Sequence, residues 1–149
     1  MSDWSQDAAR RFLDNNAARQ VHEAQSVLDR RILQQQAPKM WEELRQLFLT
    51  RCSEFSSEPG VGKILSCDGN GAHTLKIQRT DNGTTLAVTF DPQKYCVNFS
   101  GACVATGRER IQARVASGST ETFFADDSDS RVSAEDVVEI ALGDLLEIN

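Results

Sequence analysis

The feature that most constrains this chain is residues 61–125, where short segments of alternating apolar and polar residues are separated by turn residues. Alternation with a period of two is typical of β-strands that bury one face. The strongest turn signal is Asn82-Gly83, which favours a two-residue type I′ hairpin because both positions take positive φ. The sequence therefore predicts five or six antiparallel strands in meander order, with one apolar face that other elements must cover.

The two hairpins of this region carry specific registers. With the Asn82-Gly83 pair as the loop, Ile77 lies opposite Val88, and the apolar residues of both strands share one face. A slip of one residue would turn each side chain to the other face. A second hairpin has Ser117-Gly118 as its loop and places Glu121 opposite Arg114.

Helices are predicted before and after this sheet in the chain. Residues from about 5 to 55 contain no glycine and are rich in good helix formers. Pro38 favours a break or a strong kink near residues 36–38, because proline removes one helical hydrogen bond and clashes with the preceding turn. We therefore predict an N-terminal helical extension, residues 1–37, followed by a single α+β domain, residues 38–149. Within that domain the predicted elements are a helix at 38–56, the strands within 61–125, and a helix at 133–148.

The helix at 38–56 has a wide apolar stripe, which we expect to pack on the apolar face of the sheet. That stripe consists of Met40, Trp41, Leu44, Leu47, Phe48, Cys52 and Phe55. The sheet residues expected beneath it are Leu75, Ile77, Val88, Phe90, Val97 and Phe99.

The N-terminal extension has its own apolar seam, formed by Val21, Ala24, Leu28 and Ile32. Their spacing is close to that of a heptad repeat, which favours pairing with another helix. A helix this polar is not stable alone, so the seam either contacts a second copy or another protein, or packs on its own domain. The balance favours a homodimer.

A second candidate interaction surface is cationic. Its predicted members are Lys76, Lys94, Arg108, Arg110 and Arg114, all on the polar face of the sheet. Arginine forms paired hydrogen bonds with carboxylates and phosphates, so this face is suited to an anionic partner. The alternative, which we favour, is a solvent-exposed face whose charges balance the acidic C-terminal helix.

Composition limits the function classes. The 149 residues carry a net charge of −6, which makes general nucleic-acid binding an unlikely function. The chain contains no apolar run long enough to cross a membrane, and residues 1–7 are too polar for a secretory signal. Together with four cysteines that lack a CxxC spacing, these features indicate a cytoplasmic protein with reduced thiols.

Motifs for cofactors and catalysis fail on inspection. The segment 60–63 resembles part of a phosphate-binding loop but lacks the required glycine before it and the Ser or Thr after it. The acidic segment 126–130 lacks the glycine and glutamate of a calcium loop. Only two histidines occur, His22 and His73, and neither neighbours a recognisable nucleophile. The sequence therefore predicts no cofactor, no metal and no catalytic residues.

Three functional hypotheses remain. The first is a non-enzymatic interaction or adaptor module that associates with itself or with a partner through the N-terminal helix. The second is a binding domain for a small or anionic ligand, with a pocket between the curved sheet and the helix. The third is a small enzyme of unknown reaction.

Overall fold

A computed structural model describes residues 3–69, 71–101 and 109–147 of the chain. The contacts divide it into two compact units, residues 1–32 and 33–149. In chain order, the elements are α1 (Asp3–Ser56), β1 (Leu65–Asp68), β2 (Thr74–Arg79), β3 (Thr85–Asp91), β4 (Cys96–Gly101), β5 (Arg110–Val115), β6 (Thr122–Ala125), β7 (Arg131–Val132) and α2 (Ala134–Glu147).

Helix α1 does not break at Pro38, so of the two predicted alternatives, a break or a strong kink, the break does not occur. The helix runs through this residue without interruption. Pro38 removes one backbone hydrogen bond, which costs free energy at that turn of the helix. Burial of the neighbouring side chains offsets this cost. Ala37, on the N-terminal side of the proline, and Trp41, one turn beyond it, are both buried. Tertiary packing therefore overrides the local preference of proline for a helix start.

The sheet confirms the predicted α+β class and the meander order. The strands follow the chain order from β1 to β7, and each neighbouring pair is antiparallel. Within the described residues the structure has seven strands, where the sequence predicted five or six. Strand β7 contains only Arg131 and Val132, which is too short for an alternating pattern to be recognisable.

The β2–β3 hairpin has the predicted inner face but a different register. Ile77 lies opposite Leu86 rather than Val88, a shift of two residues. The loop contains four residues, and the Gly83 amide donates to the Arg79 carbonyl at 2.9 Å. Gly83 has φ of 75°, whereas Asn82 is not among the residues with positive φ, so the turn is not type I′. A shift of two residues leaves each side chain on the same face, which explains why the predicted face is still correct.

The β5–β6 hairpin shows the same kind of shift. Val115 pairs with Thr122, and the Ala116 amide donates to the Glu121 carbonyl at 2.8 Å, so the loop again has four residues. The predicted pair of Glu121 with Arg114 is wrong. Glu121 instead accepts from Arg131 on β7 at 2.6 Å, since the longer loop moves it out of register with Arg114.

The C-terminal half of α1 packs on the inner face of the sheet, as the apolar stripe predicted. The Trp41 ring stacks on Phe90 with centroids 5.9 Å apart, and the Phe48 ring lies 6.5 Å from that of Phe99. The Trp41 indole N–H also donates to the Ala72 carbonyl at 2.9 Å, so the polar atom of this buried ring is satisfied.

Helix α2 covers the rest of the same core through five buried side chains: Val137, Val138, Ala141, Leu142 and Leu145. Its first turn is capped by Ser133, whose hydroxyl oxygen accepts from the Asp136 amide at 3.1 Å. Its last turn has no basic residue of its own. Arg79, at the end of β2, supplies the cation and donates to the Leu145 and Leu146 carbonyls at 3.3 and 3.1 Å. This contact satisfies carbonyls that a helix C-terminus leaves open and complements its dipole.

Candidate functional site

The first unit of the chain, described over residues 3–32, is a helical segment with exposed apolar side chains. Among the described residues of the whole chain, seven large hydrophobic side chains are exposed, and six of them lie in this segment. They are Trp4, Phe12, Leu13, Val21, Val27 and Leu28. Monomeric proteins rarely expose such a concentration of apolar surface, so this segment is the leading candidate for an interaction surface.

The predicted seam lies within this segment. Val21 is 70% exposed and Leu28 is 49% exposed, Ala24 is also exposed, and Ile32 is half-buried. With about 100° of rotation per residue, the four side chains fall in one sector of the helix, and Leu13 falls at the edge of that sector. Trp4, Phe12 and Val27 lie outside it. We call the set of Leu13, Val21, Ala24, Leu28 and Ile32 the seam face.

The polar contacts of this segment are local. The Gln25 amide donates to Asp29 at 2.8 Å, and the Arg19 guanidinium donates to Asn16 at 3.2 Å and lies 3.9 Å from Glu23. Pairs three or four residues apart stabilise a helix by only about 0.2–0.5 kcal/mol each. Such pairs do not offset the free-energy cost of exposing apolar side chains to water. Burial against a partner helix is therefore the larger source of stability for this segment.

The predicted cationic surface is partly neutralised within the chain. Arg110 and Arg114 are exposed on the outer face of β5, as predicted. The acidic loop between β6 and β7 lies beside them, and the Arg114 guanidinium is 2.8 Å from Asp129. Asp127 and Arg110 line the same shallow depression. The loop holds its shape through the Asp126 carboxylate, which accepts from the Ser128 and Ser130 amides at 2.9 and 3.0 Å.

Of the remaining predicted cations, Lys94 lies beside β5 and Lys76 lies apart from it. Lys76 is exposed on β2, and two strands separate it from β5, a distance of roughly 14 Å at the usual strand spacing. Lys94 is exposed in the β3–β4 turn, which the Gln112 amide holds beside β5 by donating to the Lys94 carbonyl at 2.7 Å. Arg108 lies outside the described residues. Among the described cations of the predicted set, Lys76 is therefore the one that lies apart from β5.

Two further contacts involve aromatic rings, one on β6 and one on β3. Arg131 stacks over the Phe123 ring at 5.0 Å, a cation–π contact beside the Arg131–Glu121 pair. His73 meets Phe90 edge-on, with the two ring centroids 5.7 Å apart. We assign His73 a structural role, since it packs against this ring. The second histidine, His22, is exposed on α1 in the other unit.

Side chains that could bind a metal ion are dispersed in the described part of the chain. No group of three His, Cys, Asp or Glu side chains there could hold a metal ion. Cys67 and Cys96 face opposite sides of the sheet, because Cys67 pairs with the inward-facing Ile77 and Cys96 with the outward-facing Gln112. In the described ranges, no helix is long and apolar enough to cross a membrane.

A cleft whose lining residues the sequence did not indicate lies between α1 and the β6–β7 edge. Its volume is about 500 Å³, within the range of small-molecule sites. Met40 and Phe123 contribute apolar surface, and Lys39 and Arg131 contribute positive charge. Lys39 follows the proline of α1, and β7 was not predicted, so no sequence pattern placed these residues together. The second unit contains all of the residues that line this cleft.

Comparison with known proteins identified no relative: no protein-family model, no curated protein and no solved structure matches this chain. The functional proposal therefore depends on the geometry alone.

Proposed function

We propose that this chain is a non-enzymatic interaction module that forms a homodimer through the seam face of α1. Val21, Ala24, Leu28 and Ile32 of one copy contact the same face of the second copy. The observation that supports this proposal is the exposure of Leu13, Val21 and Leu28 on the seam face. Burying such surface against an identical helix removes it from water and supplies the tertiary packing that a polar helix needs.

The charge of the segment favours a second copy of this chain over a strongly charged partner. Residues 3–32 contain five acidic residues and five arginines, so two copies do not repel each other through net charge. Residues 3–17 have a net charge of −1 and residues 18–32 have a net charge of +1. The net charge of each half is small, so neither half carries a charged block that opposes contact between the seam residues of two copies.

The test is a pair of charge substitutions on one helix. Leu28→Glu introduces a carboxylate into the seam face, whereas Ser26→Glu makes the same change in charge on the opposite side of the helix, at an exposed position. Burial of one leucine contributes about 1.5–3 kcal/mol, and a symmetric dimer loses it twice, so we expect Leu28→Glu to weaken association by roughly a hundredfold or more. Sedimentation velocity over a concentration series measures this change.

The control variant makes the result specific. Ser26→Glu should keep the dissociation constant of the unsubstituted protein within a few-fold. Equal weakening by both substitutions would show that added charge, rather than the seam face, controls association. A Leu28→Glu protein that remains as associated as the original would exclude the seam face from the interface.

A second candidate function is supported by the cleft between α1 and the β6–β7 edge. Lys39 and Arg131 at its wall outnumber the acidic Glu43 there and would attract an anionic small molecule, for which Arg131 would have to compete with its partner Glu121. Met40 and Phe123 would contact the apolar part of the ligand. Binding to the native state alone raises the free energy of unfolding by RT ln(1 + [L]/Kd). A thermal-shift screen of carboxylates and phosphates should then give a higher Tm that Arg131→Gln abolishes. If no compound raises the Tm, this second candidate fails while the dimer proposal is unaffected.

A further inference from the structure

Two cysteines from distant elements face each other across the helix–sheet layer. Cys52, on α1, is 4% exposed, and Cys67, on the edge strand β1, is half-buried against the same core. β1 has a hydrogen-bonded neighbour only on its β2 side, so Cys67 is approached from the sheet edge. Neither cysteine has a role in the proposed dimer or in the cleft.

The packing of α1 on the sheet brings Cys52 towards Cys67, and this placement does not depend on the reactivity of either thiol. Trp41 stacks on Phe90, and Phe48 lies against Phe99, so the helix advances along the strands as the chain proceeds. Phe48 and Cys52 are one helical turn apart, about 6 Å along the axis. That distance corresponds to two residues of a strand, about 6.6 Å, so Cys52 reaches the next inward-facing row.

That next row contains Cys67. Phe99 pairs with Val88, and the adjacent inward-facing residue of β3 is Leu86. Leu86 pairs with Ile77, which in turn pairs with Cys67. The strand registers therefore fix the level of Cys67 along the sheet. Arg45 donates to the Gly69 carbonyl and Trp41 to the Ala72 carbonyl, so α1 runs beside the β1–β2 turn and Cys52, two turns after Arg45 on the same side of the helix, lies on the β1 side.

The two thiols lie close enough to affect each other's ionisation. Interaction with the Cys52 thiol lowers the pKa of Cys67 below the usual value for a thiol. Loss of the proton from Cys52 is opposed by its interaction with Cys67 and by burial, so the pKa of Cys52 is raised. The more accessible thiol is thus also the more readily ionised one, which is the arrangement of a nucleophile and a resolving thiol.

We propose that Cys52 and Cys67 form a reversible redox pair, which a low-molecular-weight disulfide of the glutathione type oxidises to an intramolecular disulfide. The bond would fasten the last turns of α1 to the edge strand β1. This inference is independent of the dimer proposal, because it uses only residues of the second unit.

The reaction balances in two exchange steps. The Cys67 thiolate attacks one sulfur of glutathione disulfide, a mixed disulfide forms, and glutathione leaves as a thiolate. The Cys52 sulfur then attacks the Cys67 sulfur, and its proton passes to the departing second glutathione. Two protein thiols are oxidised and one glutathione disulfide is reduced to two glutathione molecules.

The experiment uses the folded full-length chain. The protein is equilibrated with glutathione disulfide under argon, free thiols are alkylated, and the cysteine peptides are mapped by mass spectrometry. We expect a peptide that links Cys52 to Cys67, loss of alkylation at both residues, and recovery of both sites after treatment with dithiothreitol. Persistent alkylation of both cysteines, a lasting mixed disulfide at Cys67, or linkage of either residue to another cysteine would overturn the proposal.

Single substitutions test the order of the steps. Cys52→Ser should accumulate glutathione on Cys67, because the resolving thiol is absent. Cys67→Ser should leave Cys52 unmodified, because the buried thiol lacks its reactive neighbour. Modification of Cys52 in the Cys67→Ser protein, with its circular dichroism spectrum unchanged, would contradict the assignment of the nucleophile. If either variant fails to fold, the peptide map of the unsubstituted chain still decides whether the pair forms.

Discussion

Phe48→Ala tests whether α1 holds the sheet domain together. The Phe48 side chain is fully buried and packs against Phe99, so its removal leaves a cavity between helix and sheet. Loss of transfer free energy accounts for about 1.5–3 kcal/mol, and the cavity raises the total cost to about 3–5 kcal/mol. That cost is a large part of the stability of an ordinary domain, about 5–15 kcal/mol.

The assay is equilibrium unfolding in urea, followed by circular dichroism at one fixed protein concentration, because association would make the midpoint depend on concentration. Phe12→Ala is the matched control, since it makes the same change on the same helix at a side chain that is 70% exposed. We expect Phe12→Ala to change the free energy of unfolding by less than about 0.5 kcal/mol. A cost below about 1 kcal/mol for Phe48→Ala, or equal costs for both variants, would refute the packing of α1 on the sheet.

Two further predictions concern the backbone and pH. Gly101 and Gly118 both have positive φ, but a Cβ at Gly101 would collide with the Thr85 carbonyl, whereas a Cβ at Gly118 meets open space. Gly118→Ala should therefore cost about 1–3 kcal/mol, and Gly101→Ala should cost more in the same urea assay; equal costs would contradict the close approach of β3 and β4. The Arg79 guanidinium lowers the pKa of the Asp81 carboxyl. The pair therefore stabilises the fold fully at pH values above the ordinary carboxyl pKa of about 3.9. This stabilisation is lost as the pH falls through the lowered pKa of Asp81. Asp81→Asn should accordingly reduce the Tm at pH 7 and have no effect near about pH 2, and a pH-independent difference would contradict this assignment.

The sequence predicted which face of each strand is buried but not the register of the hairpins. Leu75, Ile77 and Val88 are buried as expected, because a period of two specifies the face of each residue. The same period cannot distinguish registers that differ by two residues. In the β2–β3 hairpin, the Asn82-Gly83 signal favoured a two-residue loop, but the observed loop closes with Gly83 bonded to Arg79.

Sequence patterns did not predict the long-range contacts. The Arg79 cap on α2 joins residues separated by 66 and 67 positions, and no local signal marks it. The proximity of Cys52 to Cys67 likewise follows from the path of α1 beside the β1–β2 turn. In contrast, the placement of the seam residues within one helix follows from helical periodicity, which is a local property, whereas their role in association stays a prediction.

The central claim is that the seam face forms a homodimer, and the most direct test is the solution mass of the unsubstituted chain. Multi-angle light scattering over a range of micromolar concentrations measures this mass without assumptions about shape. We predict a mass that approaches twice the 16.5 kDa of one chain as the concentration rises. A mass of one chain at every concentration would contradict the claim.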